Sequence, residues 1–194
     1  IMPQYINGII ILSNEGGAIH LKASSPVIAN CTIRDNIAQY GAGIHTLNLT
    51  STLNIDSCNF LNNMASSLGA ALKFEKGTGT GNVEVRNSNF KANISNGNGG
   101  VACIHGVPAN FINCLASGNK INSVGQGIFH VMMGSTATFN DCTIAGNAGV
   151  SGCRAIYISD GGSFANANNS IIHSNTLQYP VFGPGTFNPQ YCFI

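Results

Sequence analysis

The feature that most constrains the fold is a repeat of about 28 residues that extends along most of the chain. The motif typified by Asn30-Cys31-Thr32-Ile33 places a small residue at positions 31, 58, 88, 114, 142 and 170, with spacings of 27, 30, 26, 28 and 28 residues. Five positions after each small residue stands an asparagine: Asn36, Asn63, Asn93, Asn119, Asn147 and Asn175. This regular phase predicts a repeat architecture, because a disordered Asn- and Gly-rich tract would lack a regular apolar column.

A second recurring element is rich in glycine and ends on an apolar residue. Its copies begin at Gly16, Gly41, Gly69, Gly100 and Gly125, with a degenerate copy from Gly152 to Ile156. The residues that follow alternate between apolar and polar, as in Ile19-His20-Leu21, which is typical of short strands. Three short strands and three turns use roughly 22–31 residues, so we predict an all-β, single-stranded parallel β-helix (a solenoid) of about six to seven coils.

Asparagine is predicted to form the corners between the strands. The residue before each small position is Asn30, Ser57, Asn87, Asn113, Asp141 or Asn169, and the apolar spacing widens from two to three residues there. Asn and Asp tolerate the left-handed backbone that a corner requires, so this column marks one corner and the column from Asn36 to Asn175 marks the next. Stacked on successive coils, the amides are expected to bond to one another as asparagine ladders do.

Composition and the two ends narrow the class of protein. Only 8% of the residues are charged and the net charge is +1, so the chain offers no electrostatic surface for nucleic acid. No apolar run reaches the roughly 18 residues of a membrane span. We assign residues 1–178 to the β-helix and residues 179–194 to an irregular C-terminal segment that acts as a cap or an inter-subunit contact. Neither end has the features of a signal peptide or a capping helix, which is typical of a mature product or a piece of a longer stack.

The motifs resemble the repeats of right-handed parallel β-helix proteins of the pectate-lyase-like superfamily. They are most similar to the repeats of polymorphic outer membrane proteins, which pair a GGA[I/L/V] element with FxxN. Gly16-Gly17-Ala18-Ile19 matches the first element, and the segments 60–63 (Phe-Leu-Asn-Asn) and 90–93 (Phe-Lys-Ala-Asn) match the second. The resemblance implies a right-handed β-helix over roughly residues 7–176. It implies no single activity, because the superfamily includes lyases, hydrolases, adhesins and tailspikes.

Strand parity predicts one outward-facing column beside the glycine element. If Ile19 and Leu21 point inward, the outward positions are His20, His45, Lys73, Ile104, Phe129 and Tyr157. The neighbouring column contains only Gly and Ala, so this flat face is a candidate contact surface for a polysaccharide or another protein. An ordinary solvated face with scattered apolar residues is the commoner explanation of such a column. The stacked His20, His45 and Lys73 also suit an anion, and the two histidines a metal ion, but we predict neither a metal site nor a cofactor.

No catalytic residues are predicted. The seven acidic residues share no column, whereas a pectate-lyase-like calcium site needs several acids together. We therefore expect a non-enzymatic, extracellular or cell-surface module of structural or adhesin-like type, as a filament subunit or part of a longer surface protein. Its expected partners are other copies of the same chain or neighbouring solenoid coils. The alternatives are a carbohydrate-active β-helix, which binds or cleaves a polysaccharide, and an ice-binding solenoid, although no regular Thr array is present.

Sequons and cysteines complete the sequence-based expectations. Of the Asn-X-Ser/Thr sequons, those at Asn48, Asn93 and Asn168 are candidate glycosylation sites, whereas Asn30 is expected to face the interior. Cys31, Cys58, Cys114 and Cys142 share the small interior column and are expected to be reduced, because stacked side chains point in parallel. Cys103 is assigned to the core column of Ile19, and no CxxC or CxxH pair indicates zinc.

Overall fold

The computed structural model of the chain describes residues 15–173 and 175–194, together with the backbone of residues 4–7. These residues form short strands and no helix. The strands are β1 (Gln4–Asn7), β2 (Ile19–Lys22), β3 (Val27–Ala29), β4 (Cys31–Arg34), β5 (Ile37–Tyr40), β6 (Ile44–Leu47), β7 (Leu53–Asp56), β8 (Asn59–Leu61), β9 (Met64–Leu68), β10 (Leu72–Glu75), β11 (Val83–Arg86), β12 (Asn89–Lys91), β13 (Ile94–Ser95), β14 (Ala102–His105), β15 (Ala109–Ile112), β16 (Leu115–Ser117), β17 (Lys120–Ile121), β18 (Gly127–Met132), β19 (Thr136–Asn140), β20 (Thr143–Ala145), β21 (Ala148–Gly149), β22 (Arg154–Ile158), β23 (Phe164–Asn168), β24 (Ile171–His173), β25 (Tyr179–Phe182) and β26 (Thr186–Gln190).

The strands stack in four parallel sheets along one axis. Sheet 1 is β1-β4-β8-β12-β16-β20-β24, and sheet 2 is β2-β6-β10-β14-β18-β22-β25. Sheet 3 is β3-β7-β11-β15-β19-β23-β26, and sheet 4 is β5-β9-β13-β17-β21. Each strand pairs with its equivalent one coil away, which confirms the predicted all-β parallel solenoid. The segment 179–194 is not irregular throughout, because β25 and β26 pair with β22 and β23 and extend sheets 2 and 3.

A ladder of asparagine side chains runs through the interior between sheets 1 and 4. Asn36, Asn63, Asn93, Asn119 and Asn147 are completely buried. The amide nitrogen of each donates to the side-chain oxygen of the next, over 2.8–3.0 Å, and the last step reaches Asn175. The backbone N–H of each donates to the same oxygen. The ladder therefore supplies partners for polar groups that a corner removes from the strand pairing.

The other predicted column forms an outer corner between sheets 3 and 1. Its six members adopt positive φ values between 47° and 56°: Asn30, Ser57, Asn87, Asn113, Asp141 and Asn169. Their side chains are exposed, and some bond along the stack, as Asn113 Nδ2 does to Asn87 Oδ1 at 2.8 Å. The expectation that Asn30 faces the interior is wrong, because in this conformation the side chain projects away from the coil while the next residue points inward.

Aromatic side chains fill the centre of the solenoid. Phe60 and Phe90 stack with ring centroids 4.9 Å apart, and Phe111 and Phe139 stack at 5.3 Å. Phe129 meets both members of the second pair edge to face. These rings are buried, so the coils are joined by interdigitated apolar packing as well as by backbone pairing.

The seven cysteines are free thiols. In the small interior column the thiols of Cys58, Cys114 and Cys142 donate to backbone carbonyls one coil away, over 3.4–3.5 Å. Burial raises the pKa of Cys58 and of Cys103 to about 11. The thiolate, which is the reactive form, is therefore suppressed at these positions.

This burial predicts a graded thiol reactivity. Near pH 8, a thiol-specific disulfide reagent is expected to label the half-buried Cys31 and Cys192 rapidly and the other five thiols only when the chain unfolds. The measurement is the labelling time course with and without denaturant, followed by peptide mapping. Rapid native labelling of Cys58 or Cys103, or a stoichiometric Cys31–Cys58 disulfide, would contradict the packing described above.

Candidate functional site

The outward column of sheet 2 differs from the predicted one in two positions. Strand register aligns His20, His45, Lys73, Cys103, His130, Tyr157 and Phe182. Ile104 and Phe129, which we predicted to be on this face, are instead buried in the core. Cys103 correspondingly leaves the predicted core column of Ile19 and lies between Lys73 and His130.

Turn glycines explain the two errors. Gly16, Gly41, Gly69 and Gly99 have positive φ and precede the outward residue by four positions. In the copy that the sequence analysis began at Gly100, the turn glycine with positive φ is Gly99. The predicted outward residue was therefore one position too far along the chain. In the next copy the outward residue follows Gly125 by five positions instead of four, so His130 rather than Phe129 faces outward.

The turns before β2 and β6 fold closely over this column. A Cβ atom on Gly41 would lie 2.8 Å from the Cβ of His45, and one on Gly16 would lie 2.9 Å from the Cβ of His20. Because real Cβ atoms do not approach so closely, only glycine allows the turn to pass here at positive φ. This approach helps to bury His45 on the outer face of the sheet.

A cleft of about 300 Å³ opens on this face, lined by Glu15, Tyr40, His45, Leu68, Lys73, Glu75 and His105. Lys73 Nζ lies 3.1 Å from Glu75 Oε2 and 3.4 Å from His105 Nδ1. His45 lies between two carboxylates, with Nε2 3.7 Å from Glu75 Oε2 and Nδ1 4.0 Å from Glu15 Oε2. The cleft therefore gathers three kinds of titratable group around one buried imidazole.

The protonation equilibria of the cleft follow from burial and from Lys73. Burial lowers the pKa of His45, and the neighbouring Lys73 and His20 lower it further. The pKa of His105 is lowered by burial and by Lys73. Burial alone would raise the pKa of Glu75, but the charge and hydrogen bond of Lys73 hold it below its usual value. At neutral pH the cleft thus holds neutral imidazoles beside an ionised carboxylate.

Sequence analysis identified His20, His45 and Lys73 but missed Glu15, Glu75 and His105. Glu75 stands two positions after Lys73, so strand parity places it on the same face, and His105 is its register partner on β14. Glu15 precedes the strand and pairs with Tyr40 by an isolated bridge. Parity could therefore have identified Glu75 and His105, whereas no periodic signal marks Glu15.

The far end of the same column is aromatic. His130 stacks on Tyr157 with ring centroids 5.0 Å apart, and the Arg154 guanidinium lies 4.7 Å from the centroid of Tyr157 and 4.9 Å from that of Phe182. Cation–π contacts of this kind hold an arginine in a defined position on a surface. The column thus changes from polar and charged at β2 to aromatic at β25.

His130 is buried with neither ring nitrogen hydrogen-bonded among the described groups. Burial lowers its pKa from 6.5 to about 4, with small contributions in the same direction from Lys73 and His105 and an opposing one from Asp160. Between these two values the unfolded chain binds a proton that the folded chain does not. Stability contributed by the neutral imidazole is therefore lost as the pH falls from 6.5 towards 4.

We expect His130→Phe to remove this part of the pH dependence. The wild-type free energy of unfolding should fall by up to about 3 kcal/mol more than that of the variant between neutral pH and pH 4. Urea denaturation at several pH values measures the difference, with His173→Phe, on an exposed histidine, as the control. Parallel losses in wild type and His130→Phe would show that His130 is accessible to protons in the folded chain.

The candidate glycosylation sites differ in accessibility. Asn93 is completely buried in the interior ladder, so the predicted glycan there is ruled out for the folded chain. Asn48 is half-buried and accepts a hydrogen bond from the backbone of Thr78 at 2.7 Å. Asn168, also half-buried, donates to Asn140 at 2.7 Å, and Asn30 is exposed.

No protein-family model matches the chain, and no curated protein or solved structure is significantly similar to it. The pairing of the strands in four parallel sheets assigns the chain to the class of parallel β-solenoids. Among the residues that the structure describes, no helix is long and apolar enough to cross a membrane.

Proposed function

We propose that this chain is a structural, non-catalytic solenoid module of a secreted or cell-surface protein. The observation that carries the proposal is the continuous interior ladder from Asn36 to Asn175, which joins successive coils by paired side-chain hydrogen bonds. The side-chain amides of Asn63, Asn93, Asn119 and Asn147 are satisfied, and satisfied buried polar networks give rigid, unique packing. A rigid rod suits a protein that spans distance or presents a lateral surface. The resemblance to repeats of polymorphic outer membrane proteins supports the extracellular setting.

The use of the acidic residues also supports a structural role. Asp160 accepts hydrogen bonds from the backbone N–H of Met133 and Gly162, and its turn is held further by Ser163. Asp141 accepts from Asn169 at 2.6 Å, and Asp56 from Asn87 at 2.9 Å. These carboxylates stabilise corners and turns instead of lining a shared cleft.

Self-association is part of this proposal, and the last coil provides its surface. Tyr179, Phe182, Tyr191, Phe193 and Ile194 are large, apolar and exposed, and they lie on or beside β25 and β26. A contiguous group of exposed apolar side chains is typical of an interface. The chemistry of this surface suits a second copy of the chain, because stacked coils bury such residues against one another.

Sedimentation and electron microscopy over a concentration series test the structural proposal. We expect rods that lengthen with concentration, and shorter species for a Phe182→Ser, Phe193→Ser double variant. The control is Val124→Ser, which also changes an exposed apolar residue but lies away from the last coil. A single monomeric species at every concentration would contradict self-association.

A carbohydrate-active solenoid is the second candidate, and the cleft is the observation that favours it. Titratable groups with shifted pKa values gather in an open cleft, which is a common property of binding and catalytic sites. The aromatic group around Tyr157 could stack against a sugar. A glycan array supports this candidate if binding is lost in His45→Gln and Tyr157→Ala but retained in His173→Gln; binding unaffected by both cleft and aromatic changes opposes it.

A further inference from the structure

We propose that Glu15, His20 and His45 form a binding site for a divalent transition-metal ion, for which zinc is the best fit. The ion would connect β2 to β6 and so link two successive coils on the outer face of sheet 2. The site does not depend on the function proposed above, because a solenoid of any function can hold it.

The geometry of the three side chains is close to that of a zinc site. One ligand atom from each residue lies within 4.8 Å of the other two. His20 Nε2 and His45 Nδ1 lie 3.7 Å and 4.0 Å from Glu15 Oε2. Tetrahedral zinc with bonds of about 2.0–2.1 Å holds its ligand atoms roughly 3.3 Å apart. Small rotations of the exposed Glu15 and His20 side chains close this difference while the buried His45 stays fixed.

The state of His45 is independent evidence for a ligand. The residue is 2% exposed, and within the described part of the chain neither of its ring nitrogens has a hydrogen-bond partner. Burying an unsatisfied polar group is costly, so buried groups normally have partners. Nδ1 points towards Glu15, and a metal ion between them would satisfy the lone pair of the neutral imidazole.

The opposite side of His45 faces a carboxylate, the kind of group that often orients a metal-binding histidine. Nε2 lies 3.7 Å from Glu75 Oε2, and Lys73 Nζ lies 3.1 Å from the same oxygen. Metal-ligating histidines commonly donate their second N–H to a carboxylate, which fixes the tautomer and the orientation of the ring. Glu75 is placed for this role, and Lys73 holds the carboxylate in position.

The donor set selects the class of ion. Two imidazoles and one carboxylate suit zinc and neighbouring transition metals, whereas calcium and magnesium prefer sites made of oxygen ligands. Three protein ligands leave one tetrahedral position open to water. Cys103 is the nearest thiol in the column, and Lys73 separates it from His45, so it is not a ligand of this site.

Calorimetric titration of the chelator-treated full chain with zinc chloride tests the proposal. We expect one ion per chain and at least a roughly 100-fold loss of affinity in His20→Gln and in His45→Gln. Glu75→Gln should weaken binding about tenfold, as expected for a residue that positions a ligand. The matched control is His105→Gln, which changes another histidine of the same cleft and should alter affinity by less than about twofold.

Cobalt absorption and thermal denaturation provide readouts that do not depend on activity. Bound Co²⁺ should give the spectrum of a tetrahedral site without thiolate charge transfer, and Cys31→Ser should leave it unchanged. Zinc should raise the melting temperature of wild type but not of His20→Gln. Because His20 is exposed, the variant is expected to fold, so a missing shift reports lost zinc binding and not misfolding. Undetectable binding at millimolar zinc, binding retained in His20→Gln, or a thiolate–cobalt band would overturn the proposal.

Discussion

Replacing Asn93 with alanine is expected to lower the free energy of unfolding by about 4 kcal/mol. Asn93 occupies the middle of the interior ladder and is completely buried. Its amide nitrogen donates to Asn119 Oδ1 and to the carbonyl of Phe60, and its oxygen accepts from the backbone and side chain of Asn63. Alanine leaves these partners unsatisfied and creates a cavity. Urea denaturation followed by circular dichroism measures the loss.

Asn89→Ala is the matched control, because it makes the same change in the same coil. Asn89 is exposed, and its amide donates to Asn59 Oδ1 at 3.0 Å on the outer surface. Water can replace that bond, so a loss below about 1 kcal/mol is expected. Equal losses for the two variants would mean that the interior ladder contributes no more than a surface one.

Replacing Phe111 with alanine should lower the free energy of unfolding by about 4 kcal/mol as well, for an apolar reason. Phe111 is completely buried, stacks on Phe139 and contacts Phe90 and Phe129 edge to face. Removing the ring takes away apolar burial and leaves a cavity that the surrounding rings cannot fill. The midpoint of chemical denaturation, with an unchanged denaturant dependence, measures the effect.

The comparison for Phe111 is Phe164→Ala, a ring of the same sheet that is 41% exposed. Its removal should cost about 1 kcal/mol or less, because much of the ring already contacts water. If both changes cost the same, the aromatic stack would not be the centre of the core.

The fold was predictable because the solenoid repeats one set of physical requirements in every coil. The left-handed corner at Asn30 and its equivalents, the small inward residue at Cys31 and the ladder residue at Asn36 recur at fixed offsets, so each copy reinforces the others. The stacked Asn side chains follow directly from that spacing, since equivalent residues of successive coils lie at strand separation.

The cleft was less predictable because it depends on residues that do not repeat. Glu15, Glu75 and His105 each occur in one coil, and they meet His45 only because parallel pairing brings unrelated positions into contact. The phase of the outward column also depends on which glycine adopts positive φ, and two adjacent glycines at 99 and 100 leave that choice ambiguous in the sequence. Counting strand parity from Gly100 instead of Gly99 placed Ile104 on the outer face of sheet 2, although it is buried in the core.

The few charged side chains of this chain are used mainly to hold its turns and one cleft, and this use contributes to its rigidity. Corner carboxylates and amides hold turns, whereas Glu15, Glu75, Lys73, His45 and His105 collect in one cleft. A metal ion bound by Glu15, His20 and His45 would hold β2 against β6, and the interior ladder joins the coils between sheets 1 and 4. The ladder stabilises the stack, and the proposed metal ion would add to it, which fits a module that carries load or displays a surface.

The central claim is that the chain is a structural module that catalyses no reaction on a polysaccharide. A turnover assay tests this claim most directly. Wild type and a Lys73→Gln, Glu75→Gln double variant are incubated at neutral pH with a polysaccharide panel, with calcium and with zinc, and reducing ends and unsaturated products are measured. The structural account predicts the same background for both proteins on every polysaccharide. Product formed by the wild type and absent from the double variant would contradict it and identify the cleft as an active site.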